Sequence, residues 1–286
     1  SHPDLFWGVR GGGGNFGVVT ALECALYPVV DVYGGNLFYP LEMAQEVFAV
    51  YRQWIQTLPD EWTTAIVIMH LPPLPRIPEP LRGKSVVVVR GCYLGNNTDG
   101  VAWLRPLRAL GSLLADTFAP MKFRDVATIS ADPVEPANVF ARTEVLKDLS
   151  AETVLALIKA AGRPPRSPIV GIEIRHLGGV MTRIPADSNA FGHRDMQFVL
   201  FMYGIVGISG QEDDFTQYMR MVGEVLRPEE TGEVYFNFLN DTDTTLARVR
   251  AAYSPEHYQR LVVLKGRYDP ANMFRFNPNI PPPGTA

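Results

Sequence analysis

Four consecutive glycines, Gly11 to Gly14, stand near the start of the chain and constrain its fold more than any other feature. Such a run suits a loop whose backbone N–H groups must approach a bulky anion, because a Cβ would hold the chain off and forbid the positive φ angles the loop uses. Four adjacent glycines are otherwise often just a flexible turn, so the flanks decide. Phe16-Gly17-Val18-Val19-Thr20-Ala21-Leu22-Glu23 alternates and is β-branched, which predicts a strand leaving the loop. Leu5-Phe6-Trp7 is too apolar for a free tail. A ligand loop normally sits between a strand and its partner element, and only a few residues precede this one. The partner element is therefore expected to be missing, and the chain to be a piece of something larger.

The 286 residues are 47% hydrophobic and 10% aromatic, enough for a large core in one or two domains. A formal net charge of -4 gives no sign of a basic nucleic-acid surface. No apolar run reaches the roughly 20 residues of a membrane span. Cys24 and Cys92 fall in strand-like apolar runs and read as buried free thiols. No histidine or cysteine has metal-ligand spacing, and the first residues leave localisation open.

Helices are predicted over Leu41–Leu58, from Asn97 or Thr98 to Leu110, over Ser150–Ala161 with Ser150 as N-cap, and over Asp213–Leu226 and Ser254–Tyr268. Strands are predicted over Thr63–His70, Lys84–Leu94, Pro168–Leu177, Met196–Val206 and Glu233–Leu239, with an extended segment near Phe118–Phe123. Two rounds of helix, two strands, helix and strand predict an α+β fold: an antiparallel sheet with helices covering one face.

The string from Asp4 through Arg10, Gly11–Gly14 and Asn15 to Thr20 resembles the signature that closes the FAD-binding domain of berberine-bridge-enzyme-like oxidoreductases in the vanillyl-alcohol-oxidase superfamily. Tyr258 to Pro281, with Lys265, Asp269-Pro270 and Phe276-Asn277-Pro278-Asn279, resembles that family's C-terminal segment. The resemblance implies that residues 1–30 are the C-terminal part of an FAD-binding domain, 31–245 a substrate-binding α+β domain, and 246–286 a segment packing back on the FAD domain. It also implies that the covalent flavin attachment and most FAD contacts belong to an N-terminal domain outside these residues, so the isolated chain is expected to hold FAD poorly and to self-associate. His2, beside Pro3, is read as linker.

The resemblance carries FAD contacts to Gly12, Gly13, Gly14, Asn15, Phe16, Gly17, Asn277 and Asn279; the last two also fit a plain proline-rich tail. It implies hydride transfer from a small-molecule substrate to the flavin, with molecular oxygen as acceptor. Leu200 and Met202 match positions on a flavin-facing strand and hint at an apolar or mixed substrate. Tyr235-Phe236-Asn237-Phe238 resembles a Tyr-x-Asn-Tyr strand with its second tyrosine replaced, leaving Tyr235 as the base or, equally, as an inert core tyrosine. Tyr203 is a weaker candidate, expected on the helix-facing side. Asn237 and His176 are assigned to substrate, while Glu173 and Arg175 read as a substrate-near strand face or, equally, as a solvent-exposed or ion-paired one. The alternative is an inactive homologue or binding module that keeps only the sheet.

Overall fold

A computed structural model describes residues 2–132, 135–136, 138–162, 168–205, 212–239 and 244–284. Val206, the Arg163–Arg166 stretch and residues 240–243 lie outside the described residues.

The centre is an eight-stranded antiparallel sheet. Its strands are β1 (Asp31–Pro40), β2 (Trp62–His70), β3 (Ser85–Tyr93), β4 (Ala115–Asp116), β5 (Ala119–Lys122), β6 (Val139–Leu146), β7 (Gly171–His176) and β8 (Phe198–Ile205). They run in the order β4-β1-β3-β2-β7-β8-β6, with β5 also on β1. The fold is α+β, as the alternation predicts.

The α-helices among the described residues are α1 (Pro3–Val9), α2 (Ala44–Ile55), α3 (Asn97–Trp103), α4 (Arg105–Arg108), α5 (Ala151–Ala161), α6 (Val180–Arg183), α7 (Glu212–Leu226), α8 (Leu246–Ala251) and α9 (Pro255–Tyr268). In α2 the residues Val47, Phe48, Tyr51, Trp54 and Ile55 recur at helical spacing and are all buried. Ser150 caps α5 by accepting from the Thr153 N–H, and Ser254 caps α9 through His257 N–H. The predicted helix ending at Leu110 is instead two, capped by Asn96 and broken before Pro106. Proline lacks the N–H to continue the ladder and clashes with the preceding turn.

Helices α2, α5 and α7 cover one face of the sheet. Ile66, Ile68, Val87, Val89, Ile172, Ile174, Leu200 and Met202 point into that layer and join Leu157, Phe215, Met219 and Leu226 in the main core. Thr64 on this face meets Tyr51 of α2 through hydroxyls 3.0 Å apart. Alternate residues of the same strands form the second face.

A second cluster gathers the chain ends. Trp7 and Phe16 pack with Leu261, Leu264 and Ile280, and with Ala190, Val234 and Phe236 from the middle of the chain. Here two strand predictions fail. Residues 17–30 lie in no strand, with Val18, Leu22, Leu26 and Tyr27 each more than three-quarters exposed, so the alternating pattern pairs with no strand among the described residues; only at its end does the Val30 carbonyl accept from the Phe123 N–H. Residues 233–239 form a short 3-10 turn over Phe236–Phe238. Cys24 is therefore exposed, and Cys92 is half-buried on β3, its thiol pushed up by burial; both are free thiols.

Candidate functional site

Register maps the second face. One row across it reads Asn36, Arg90, Ala65, Arg175, Val199, Val145 along β1, β3, β2, β7, β8 and β6. The adjacent row reads Phe38, Val88, Val67, Glu173, Phe201, Thr143. At the β3 end this face is aliphatic, where Val67, Val86 and Val88 pack under Phe38, Met69, Leu71 and Leu114.

Charge is concentrated in the middle. Arg175 forks onto Glu173, with Nε 3.2 Å from one carboxylate oxygen and Nη2 3.4 Å from the other. Arg90 approaches the same carboxylate at 3.7 Å while its Nε donates to Asn36 Oδ1 at 3.1 Å. Asn36 is fixed in turn by donating to the Ile129 carbonyl. Phe201 and Tyr203 stack on β8 at 5.5 Å, and the Arg175 guanidinium lies 4.9 Å from the centre of the Phe238 ring. Burial and the Glu173 charge both push the Tyr203 hydroxyl upward.

This register corrects the predicted substrate face. Leu200 and Met202 are 0% exposed inside the helix-covered layer, so neither reaches the second face. His176 shares their parity, stacks near Phe198 at 5.5 Å, and is pushed down by burial. The second-face residues of β8 are Val199, Phe201 and Tyr203; Tyr203, expected on the helix side, faces the other way. Asn237 is exposed at the turn.

The turn at 235–238 joins the two clusters. Tyr235 and Phe238 settle over Val145, Val199 and Met196, and the Phe238 carbonyl accepts from Thr143 Oγ1 at 3.1 Å. Tyr235 lies 5.1 Å from Phe191, whose ring in turn sits 5.1 Å from the Arg194 guanidinium. Burial pushes the Arg194 guanidinium down from its ordinary value, and attraction to Tyr235 opposes that. Arg194 donates to Asn189 Oδ1 at 2.7 Å, leaving a buried Nε without a partner among the described residues. Phe236 points the opposite way, into the terminal cluster.

The glycine run meets that cluster, and much of its composition is explained by packing. Gly13 has φ 62, and a Cβ there would fall 2.5 Å from the Phe236 ring. At Gly11, φ 129, a Cβ would collide with the Phe191 backbone. At Gly12 it would meet the Gly8 carbonyl at 2.5 Å. Phe16 is buried beside Trp7. Asn15 is 0% exposed and fully engaged: its Nδ2 donates to the Gly12 and Pro278 carbonyls, and its Oδ1 accepts from the Ile280 N–H. The side chains of Asn15 and Phe16 are therefore structural, a correction to their predicted ligand role. Gly17 instead opens on free space, and Gly14 is bordered by Asn277, whose Nδ2 would lie 3.1 Å from an added Cβ.

One buried lysine, absent from the predicted site, organises this region. Lys265 is 0% exposed and donates to the Asn15 carbonyl, Asp269 Oδ2 and the Phe274 carbonyl at 2.9, 2.6 and 2.9 Å. Burial opposes ionisation of Asp269, yet hydrogen bonds from Lys265 and the N–H groups of Phe274 and Met273 hold its carboxyl at about 2. A Lys265–Asp269 pair four apart on a helix end is visible in the sequence, but nothing there distinguishes it from an exposed pair. Beyond the clamp, the Oδ1 atoms of Asn277 and Asn279 are buried without hydrogen-bond partners among the described residues. Buried amide oxygens left unpaired are costly, and a donor-bearing ligand edge would satisfy them.

Residues 234–281 match the family described as "Berberine and berberine like", a segment holding the 235–238 turn, the lysine clamp and both asparagines. Over nearly its whole length the chain is similar to FAD-linked oxidoreductases, and its 234–281 segment carries the berberine-like match. An FAD-linked oxidoreductase of Dictyostelium discoideum is 26% identical over 99% of this chain and 59% of its own length. The (R)-6-hydroxynicotine oxidase of Paenarthrobacter nicotinovorans is 26% identical over 99% of this chain and 62% of its own. The chain thus spans about three fifths of the curated relatives it matches. Among solved structures, 6-hydroxy-D-nicotine oxidase from Arthrobacter nicotinovorans superposes with a TM-score of 0.79 at 23% identity, covering 98% of this chain and 61% of its own. Berberine bridge enzyme from Eschscholzia californica gives 0.75 at 20% identity, with 98% and 61% covered. These likenesses establish the fold of the sheet and its helices.

Proposed function

We propose that this chain is the substrate-side portion of an FAD-dependent oxidoreductase, with the second sheet face turned toward the flavin. The observation that carries this reading is the pair of buried Asn277 and Asn279 oxygens left unpartnered among the described residues, Asn277 bordering Gly14. They lie on a segment tied through Asn15 to the glycine run. Amides that can donate or accept suit the mixed edge of an isoalloxazine, and the open space at Gly17 leaves room for a bulky group. When bound, FAD would supply the two-electron acceptor, taking hydride from a substrate C–H and passing electrons to oxygen.

The chain's own residues would hold the substrate and move its proton. Tyr235 Oη is proposed to take the proton from a substrate hydroxyl or amine, its ring held against Phe191, on which the Arg194 guanidinium rests. Phe191 and Phe238 close around the Tyr235 ring and exclude water from it. Phe201, half-buried on this face, would seat apolar parts of the substrate.

The test is the gene product with its encoded upstream sequence, purified and examined for a flavin absorbance band. A yellow protein whose flavin is reduced by substrate, with reduction slowed about 10²-fold or more in Tyr235→Phe, supports both parts. Unchanged reduction in Tyr235→Phe removes the tyrosine from the chemistry. A colourless protein that binds no flavin supports instead a binding module built on the same sheet.

A further inference from the structure

We propose that the Arg90–Ala65–Arg175 row recognises the carboxylate of a planar apolar substrate. The inference rests on reading the second face as the substrate face, and it names the substrate's chemical class.

Three observations converge. First, two guanidiniums converge on a single carboxylate, Glu173, leaving one positive charge in excess at the middle of the face. Asp132 reaches Tyr203 electrostatically but accepts from Ser130, and it sits outside the row. Second, the two arginines flank Ala65, the smallest side chain of the row, across a backbone separation of about 10 Å, twice the strand spacing. The long arginine stems bring both heads to the Glu173 carboxylate, and a planar anion arriving there can receive N–H bonds from both. Arg90 has its Nε committed to Asn36, and Arg175 has its Nε and Nη2 committed to Glu173, so both forks are held before a ligand arrives. Their remaining Nη edges, Nη2 of Arg90 and Nη1 of Arg175, carry no hydrogen bond among the described residues.

Third, the surroundings suit an aromatic body. The stacked Phe201–Tyr203 pair, with Phe238 against Phe201, forms an aromatic wall beside the charged pair. Glu173 acts here as the arginines' holder, not as the recogniser, because both of its oxygens are taken by Arg175. An amine substrate would need that carboxylate free.

The experiment titrates the 286-residue chain with 2-naphthoate, the isosteric 2-naphthamide and 2-naphthylmethylamine, read by saturation-transfer NMR. The acid is expected to bind at least tenfold tighter than the amide, and Arg175→Gln to bring it to the amide's level. Arg175→Lys, which keeps the charge but not the fork, should retain part of the preference, and near-ultraviolet circular dichroism checks that each variant is folded. Equal binding of acid and amide, an unaffected Arg175→Gln, or preference for the amine overturns the proposal. None of these measurements involves flavin, so losing the acid preference leaves the oxidoreductase reading standing. A colourless, flavin-free full-length protein that still prefers the acid would sink that reading alone.

Discussion

The two faces of the sheet are built from the same strands, yet they have opposite chemistry. On β8, Leu200 and Met202 vanish beneath α2, α5 and α7, while Phe201 and Tyr203, one residue along, stay half-buried beside Glu173 and Arg175. One face stabilises the domain by removing hydrocarbon from water. The other holds a charged pair and aromatic rings in fixed positions, which lowers stability but creates a surface able to recognise something. The terminal cluster adds a third arrangement, in which buried polar groups, not hydrocarbon alone, fix the backbone.

The largest expected effect lies on the covered face. Leu200→Ala or Met202→Ala should each cost about 2–5 kcal/mol in urea unfolding through lost transfer energy plus the cavity left behind. Phe201→Ala, on the other face, should cost clearly less; equal losses would erase the distinction between the faces. Next is Asn15→Ala, which strips partners from the Ile280 N–H and the Pro278 carbonyl and should cost about 1–3 kcal/mol. Its local signature would be faster proteolysis of the C-terminal segment, with the sheet intact.

Acid should separate the regions further. Asp269 titrates at about 2 in the folded protein against an ordinary value of 3.8, so its contribution is complete above 3.8 and disappears as pH falls toward 2. The terminal cluster, monitored through Trp7 fluorescence in a protein lacking the other tryptophans, should loosen in that window before α2 leaves the sheet. A single coincident transition would contradict this. The smallest effect is expected for Tyr203→Phe, about 1 kcal/mol or less, since the ring stays over Gly171 and only the hydroxyl goes. Separately, calorimetry of the 286-residue chain with free FAD is expected to show weak or no binding, and tight stoichiometric binding would refute the expectation that the main contacts lie elsewhere.

Much of the covered layer was legible because its helices carry an unambiguous period and good caps, as in α2, α5 and α9. Strand β1 was missed because Gly34, Gly35 and Pro40 dilute its β-forming residues; the pairing with β3, and the tight fit of Gly34 against Ile129, hold it instead. Strand β6 was missed because Arg142, Thr143 and Glu144 read as polar loop. The face of β8 was assigned backwards because Phe198 to Ile205 is apolar at both parities, so alternation carries no sign. The sign is in β7: Glu173 and Arg175 pair with Phe201 and Val199, and that register needs tertiary structure. For the same reason the glycine run was read as ligand-facing throughout, when most of its demand for small residues comes from Phe191, Phe236 and Gly8.

The short turn at 235–238 has a mechanical consequence. Phe236 is seated against Gly13 while the next-door Phe238 carbonyl is moored to Thr143, so the chain ends and the strands cannot slide past each other without unseating a ring or breaking that bond. Whatever docks on the glycine run is thereby kept at a set height above the strands, and a bulkier residue at 13 would tilt the whole roof.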